Sequence, residues 1–319
     1  MRRVLTTVTL LGLLVATAAA FAITEHLKQI KSPLSAVAVS VGFEHSASKV
    51  MSPVCGCPTG EATIAVRLRH PDRVTLTIVD ASHHPVATVA SGVRVLAHVQ
   101  QTFTWKGHTD AGTVAPDGVY HPWVSLAHAR HKYRLANRIV VDTKAPTVLS
   151  ATAGKGKEPV FFAAPGRTVA IRYSLSEPGH ALVYLGGRRI IKGRHTKQHA
   201  KVNWTGRVDG RPLPAGTYVL SVGAQDIAGN ETPASRRKDV TVVVRYLQLV
   251  PGRLTVRAGR RFAVRVETAA SRYTWRLGRR HGGRRGKTLH LRAPTTPGRY
   301  RLVVAEHGHA ATAVVRVRR

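Results

Sequence analysis

The stretch "LGRRHGGRRGK" places Arg279, Arg280, Arg284, Arg285 and Lys287 around a Gly-rich turn. A guanidinium is planar, permanently charged and able to grip phosphate or carboxylate with two parallel hydrogen bonds. These five residues are therefore the candidate anion-binding site. They lie in the most basic part of the chain: from Pro251 to Arg319 there are 18 Lys and Arg against two acids, Glu267 and Glu306. The whole chain of 319 residues carries 49 Lys and Arg against 16 Asp and Glu, a formal +33. Such an excess favours nucleic acid, acidic lipid headgroups or anionic envelope polymers as partners. The competing reading is that the arginines only solvate a hairpin tip and the strand faces.

Other chemistry-bearing residues are sparse. Cys55 and Cys57 stand alone as "CGC". They read either as a small, reducible local disulfide pinning the start of a domain or as two free thiols, since a zinc site needs a second ligand pair. Seventeen histidines include His83-His84, His128 with His131, and His307 with His309 on one strand face, but none joins a further ligand at metal spacing. Asp110, Asp117, Asp209 and Asp226 are isolated, whereas calcium needs several acidic oxygens together. No G-x-S-x-G, H-E-x-x-H or phosphate-loop motif is present. The sequons at Asn203 and Asn230 read as chance. The expectation is a non-catalytic protein without metal or cofactor.

Location narrows the partners. Met1-Arg2-Arg3 precedes an uncharged run of 20 residues, Val4 to Ile23, with small residues at Ala20-Phe21-Ala22. This is the pattern of a secretory signal, cleaved for release or retained as a single-pass anchor with the bulk outside. Residues 1–23 are taken as that segment. Export disfavours nucleic acid, as does an aromatic content of 6%, too low for base stacking. What remains is an anionic envelope polymer, a membrane surface or another envelope protein.

The elements that must position these residues are strands. Residues 24–57 show no sustained period and read as a stalk. From Thr63 the alternation is of period two: Ile64, Val66 and Leu68 on one face, then Val74, Leu76 and Ile78 after a Pro-Asp turn. The same order returns with Ile171, Tyr173 and Leu175, a Pro178-Gly179 turn, a further strand, and a hairpin at Gly186-Gly187. Two longer phrases also match, "WKGHTDAGTVAPDGVY" from Trp105 and "WTGRVDGRPLPAGTY" from Trp204. Pro71 and Pro178 are 107 residues apart but Trp105 and Trp204 only 99, so the first copy carries about eight extra residues near "ASGVRVLAHVQQ". In each copy a strand ends at the Trp, Gly and Asp–Gly make the turn, and a Tyr packs under the corner of the next strand.

That repeated phrase resembles the Ig-like domain of the flagellar hook-capping protein. "VDTKAPTV" (Val141–Val148) is similar to the seam between tandem bacterial Ig-like modules, and "AQDIAGNETP" (Ala224–Pro233) to the end of one. The resemblance covers residues 58 to about 245 and implies a spacer or scaffold, with no flagellar role inferred. Residues from about 250 form a leaner third unit. Phe262, Val264 and Val266 alternate with charges, Ala313, Val315 and Val317 face inward, and the corner is reduced to Pro297-Gly298-Arg299-Tyr300. The expected architecture is all-β. An N-terminal hydrophobic helix precedes tandem Ig-like β-sandwiches at 58–146, 147–248 and 249–319.

Overall fold

The computed structural model describes residues 12–21, 32–42, 49–156, 159–164 and 166–319. Residues 12–21 are helical, and the rest of the regular structure is strand apart from short 3-10 turns at Pro58–Gly60 and Ala234–Arg236. No helix among the described residues is long and apolar enough to cross a membrane. Of the expected signal or anchor, only residues 12–21 fall within the described residues.

Two compact units form, Met1–Thr143 and Lys144–Arg319. The first holds β1 (Leu34–Val41), β2 (Val50–Met51), β3 (Ala62–Leu68), β4 (Asp72–Val79), β5 (Pro85–Val95), β6 (Gln100–Trp105), β7 (Gly118–Leu126), β8 (His131–Arg134) and β9 (Ile139–Val141). They build two sheets ordered β1-β3-β6 and β2-β9-β7-β4-β5, with β8 against β7. The second unit holds two sandwiches. One contains β10 (Val148–Ala153), β11 (Val160–Phe162), β12 (Val169–Leu185), β13 (Arg188–Lys192), β14 (Lys197–Trp204), the small hairpin β15 (Arg207–Val208) and β16 (Arg211–Pro212), β17 (Gly216–Gln225) and β18 (Lys238–Arg245). The other contains β19 (Leu247–Val250), β20 (Arg253–Arg257), β21 (Arg261–Thr268), β22 (Tyr273–Leu277), β23 (Arg280–Arg284), β24 (Thr288–Arg292), β25 (Gly298–Glu306) and β26 (His309–Arg318).

One strand order recurs three times. The three-stranded sheets are β1-β3-β6, β10-β12-β14 and β19-β21-β24. Their partners are β2-β9-β7-β4-β5, β11-β18-β17-β12-β13 and β20-β26-β25-β22-β23. In every copy the opening segment pairs antiparallel in one sheet, then crosses to pair parallel with the last strand: β2 with β9, β11 with β18, β20 with β26. Each sheet pair closes on its own apolar cluster, around Ile64, Leu76 and Ile139, around Ile171, Leu175 and Leu220, and around Val264, Leu289 and Leu302. Alternate residues of the facing strands supply these cores.

The repeated phrase earns its repetition in the corners. Trp105 and Trp204 are buried at the ends of β6 and β14, and each indole N–H donates to a carbonyl three residues on, at His108 (2.9 Å) and Arg207 (3.1 Å). Gly107 and Gly206 follow at φ 71° and 73°, a region that side-chain-bearing residues avoid. A Cβ on Gly107 would also stand 2.2 Å from Pro53 Cγ. Tyr120, Tyr218 and Tyr300 each donate a hydroxyl hydrogen bond to the carbonyl four residues back, at Pro116 (2.7 Å), Pro214 (2.9 Å) and Thr296 (2.9 Å). This is a tyrosine corner, the device that ties a sandwich's end turn to its next strand.

Asp72 does comparable work in the first unit. Burial pushes its carboxyl up, but donors outweigh that: the backbone N–H of His128 (2.9 Å), the His128 ring (3.1 Å), and the N–H groups of Arg73 (2.6 Å) and Ala129 (3.2 Å) hold it below the usual carboxylate value. A depressed native value stabilises the fold above the unfolded-state value near 4, and that stabilisation is lost as pH falls through the native value. Asp72→Asn is therefore expected to lower the urea midpoint of the first unit at pH 7 and to leave it unchanged at strongly acidic pH. An equal loss at both pH values would show that the ionised carboxylate is not what matters.

Three expectations need correction. The stalk at 24–57 is folded where it is described: β1 pairs with β3 and buries Val39 and Val41, β2 pairs with β9, and Met51 is fully buried. Its period of two was masked because Ala36, Ala38 and Ser40 contrast little with the valines between them. Residues 24–31 and 43–48 lie outside the described residues. Pro178-Gly179 is not a turn between two strands. β12 runs through it and changes sheets there, pairing β10 and β14 before it and β13 and β17 after it. The third sandwich begins at Leu247, which packs in its core, two residues before the expected boundary at 249.

Candidate anion-binding edge

The third sandwich has an open side between β23, the edge of one sheet, and β24, the edge of the other. β22 and β23 form a hairpin whose turn is Gly278-Arg279, with Gly278 at φ 60°. The five candidate basic residues are thus not gathered at one turn, which corrects the sequence expectation. Arg279 sits at the tip, Arg280 and Arg284 begin and end β23, and Arg285 and Lys287 lie in the link to β24. Gly282 and Gly283 are strand residues. Gly282 pairs with Trp275, whose ring lies over it, 3.2 Å from where a Cβ would stand. An aromatic covering a cross-strand glycine in this way is what lets "RHGGR" hold as an edge strand.

Residues 280, 282 and 284 share one face of β23, so Arg280 and Arg284 project to the same side, about 13 Å apart at the usual strand rise. That side opens on a groove of about 700 Å³. Its other basic members come from different strands: Arg261 at the start of β21, and His290 and Arg292 on β24. Trp275 and Phe262 supply its apolar surface. No carboxylate lines the groove, and among the described residues none of its four arginines has an ion-pair partner. Arg280 Nη1 donates to the carbonyl of Arg292 (2.9 Å), tying the two edges together. Arg261 and Arg292 are direct cross-strand partners, a like-charge juxtaposition that costs the sheet.

The same edge differs in the other two copies. In the second sandwich two of its basic residues are matched, Arg188 by Asp209 (2.6 Å) and Arg189 by Glu231 (3.2 Å), while Lys192, Arg194, Lys197 and Lys201 have no ion-pair partner among the described residues. In the first, β5 and the chain leading to β6 present Val93, Leu96 and Val99, which are 37%, 53% and 51% exposed. Most of the additional residues of the first copy lie instead in the β4–β5 connection: eight residues separate paired Ile78 and Ala87, where two separate paired Leu185 and Arg188. Sequence reasoning found Arg280 and Arg284 but missed Arg261, His290 and Arg292. Their signal was the alternation of charge with Phe262, Val264, Leu289 and Leu291 on neighbouring strands.

The remaining candidates are placed as follows. Cys55 and Cys57 are joined in a disulfide, with Cα atoms 5.2 Å apart. His84 lies beside Asp80, His128 beside Asp72 and His307 beside Glu306. His307 stands in the β25–β26 turn, while His309 opens β26 and stacks on Tyr246 at 3.6 Å. Asp110 accepts from Thr88, Asp117 from Thr143, and Asp209 pairs with Arg188. Asp226 closes a buried turn with Gly229 and Asn230, and the Asn230 amide donates to the Asp226 carboxylate at 2.8 Å. The Asn230 sequon is therefore buried, whereas Asn203 is exposed.

No protein family's sequence pattern matches the chain, and neither does any curated protein. Among solved structures, the fibronectin(III)-like modules of Clostridium thermocellum CbhA share 12% identity over 65% of this chain and 94% of theirs, with a TM-score of 0.34. A solved chain from a 1.5-MDa bacterial ice-binding adhesin shares 12% over 90% of this chain and 98% of that solved chain, with a TM-score of 0.31. Titin domains I67–I69 share 11% over 90% and 99%, with a TM-score of 0.29. The recurring strand order, more than these scores, defines the class: tandem Ig-like β-sandwiches preceded by one N-terminal helix.

Proposed function

We propose that the chain is a non-catalytic, exported scaffold of the cell envelope, anchored by or released from its N-terminal segment, whose third sandwich binds an anionic envelope polymer along the β23–β24 edge. The observation that carries this reading is the groove with four arginines, one histidine and no acid. Unmatched guanidiniums along an apolar floor suit a chain of phosphates or carboxylates, which pays for bringing them together. The module type of the hook-capping protein serves here as a support for that edge, with no flagellar role.

Such binding releases counterions and is screened by salt. Pelleting of the purified chain with a polyol-phosphate polymer, and separately with anionic liposomes, is expected to be strong at low salt and to fade as salt rises. Binding that is absent, or insensitive to salt, would remove the proposal. A second reading, an accessory subunit that docks on another envelope protein, is favoured by the exposed Val93, Leu96 and Val99 on the equivalent edge of the first sandwich. It predicts partner binding that tolerates salt and survives loss of the third sandwich's arginines.

A further inference from the structure

The connection from β2 to β3 carries the Cys55–Cys57 disulfide, with a single residue between its halves. A disulfide stabilises a fold mainly by closing a loop of the unfolded chain, and the effect grows with the number of residues enclosed. One enclosed residue gives that effect its least scope. The connection is held by other means. Met51 and Ala62, on either side of it, are fully buried in the core of the first sandwich. Between them the Ser52 N–H donates to the Thr59 carbonyl (3.1 Å), the Cys55 N–H to the Ser52 carbonyl (3.3 Å) and the Gly60 N–H to the Cys57 carbonyl (2.8 Å). All three bonds run from backbone to backbone, so none requires the sulfurs to be joined.

The surroundings of the sulfurs suit reaction instead. Cys55 and Cys57 are half-buried, and Val54, Gly56 and Pro58 beside and between them are exposed. A Cβ on Gly56 would meet nothing within 4 Å, so the outer side of the small ring is open to approach. Each sulfur also has a donor in place. The Cys57 N–H donates to Cys55 Sγ at 3.2 Å. Thr59 Oγ1 lies 3.0 Å from Cys57 Sγ and 3.8 Å from Cys55 Sγ. A disulfide sulfur carries no hydrogen, so the hydroxyl is the donor, and Cys57 is the sulfur it serves. Sulfur accepts weakly when neutral and more strongly once it is a thiolate, so both donors favour the opened pair.

We infer that Cys55–Cys57 is an exchange-active disulfide that takes two electrons from a dithiol and so passes its disulfide on. One thiolate of the dithiol attacks Cys55 Sγ. The Cys55–Cys57 bond breaks, and its electron pair stays on Cys57 Sγ, where the Thr59 hydroxyl meets the charge. The second thiolate of the dithiol then attacks the dithiol's own sulfur in the mixed disulfide, and Cys55 leaves as a thiolate beside the Cys57 N–H. The dithiol ends as a disulfide, and the two protein thiolates take up the two protons that it lost. Transfer is stoichiometric, one disulfide per chain, and uses nothing of the groove in the third sandwich.

The test mixes the full chain with dithiothreitol, and separately with a reduced peptide holding two cysteines, and follows both partners by mass spectrometry after acid quenching. One disulfide per chain is expected to pass to either probe. The reduced chain is expected to keep its circular dichroism and to melt within about 5 °C of the oxidised one, because the connection is held by its backbone bonds. Thr59→Val keeps the side chain's shape and removes the donor. It is expected to slow the transfer about fivefold, part of the worth of a hydrogen bond to a charge, and Thr59→Ser should restore the rate. A bridge that resists excess dithiothreitol in the folded chain, or a first sandwich that unfolds on reduction, would overturn the inference. So would transfer to dithiothreitol but not to the peptide, which marks a bridge that is merely reducible. Equal rates for Thr59→Val and Thr59→Ser would overturn it as well.

Discussion

Trp204→Ala is expected to cost the second sandwich about 3–5 kcal/mol, the range for emptying a buried aromatic position. The ring is 2% exposed at the end of β14, meets Tyr218 edge-on at 6.4 Å, and holds the Arg207 carbonyl through its N–H. Truncation opens a cavity in the core and leaves that carbonyl unpaired, two penalties that add. Trp204→Phe keeps most of the apolar volume and loses chiefly the hydrogen bond, so about 1–2 kcal/mol is expected for it. Domains of this size hold only about 5–15 kcal/mol in total, so the alanine variant should sit near the edge of folding. Urea unfolding followed by circular dichroism, with hydrogen exchange at β12 and β17, reads both variants. A loss below about 1 kcal/mol for alanine would mean that the corner is not seated by the indole.

The second large effect is on binding. Arg261→Gln with Arg292→Gln is expected to weaken association with a polyol-phosphate polymer by at least tenfold at low salt, the scale of two lost charge-assisted contacts. The same change relieves a like-charge pair directly opposed across β21 and β24, and so should leave stability unchanged or raise it by about 0.5 kcal/mol. Opposite signs on binding and stability are what distinguish a site from a structural ion cluster. Arg299 and Arg316 provide the control. They are likewise opposed across β25 and β26 but do not line the groove, so replacing both with glutamine removes equal charge from the same sandwich. If the control pair weakens binding as much as Arg261 and Arg292, the positive charge acts as a diffuse field and the groove is not a site.

The same edge carries three different surfaces: exposed Val93, Leu96 and Val99 in the first sandwich, basic residues of which Arg188 and Arg189 are acid-matched in the second, and a basic groove without an acid in the third. An open sheet edge is a pairing hazard that proteins normally blunt with charge. Arg280 and Arg284, projecting inward from an edge strand, perform that protective task whether or not a polymer binds. What protection does not require is convergence of Arg261, His290 and Arg292 from other strands onto the same groove.

The sequence by itself determined the strands with strong contrast between faces, the two long repeated phrases, and the Trp and Tyr that seat each corner. Those features are local: a period of two, a glycine forced to positive φ and an aromatic at fixed spacing act over a few residues. It was silent or misleading where contrast is low or the determinant is remote. Alternating Val with Ala and Ser hid β1, and "HGGR" passed for a turn because the ring that makes it a strand belongs to Trp275 on the neighbouring strand. Whether β12 turns or bends at Pro178 depended on which sheets its two halves could join. Only the tertiary structure spread the basic cluster along β23 and brought Arg261 and Arg292 to the groove beside Arg280 and Arg284. Cross-strand neighbours are set by register, and register is decided by the packing of the whole sandwich.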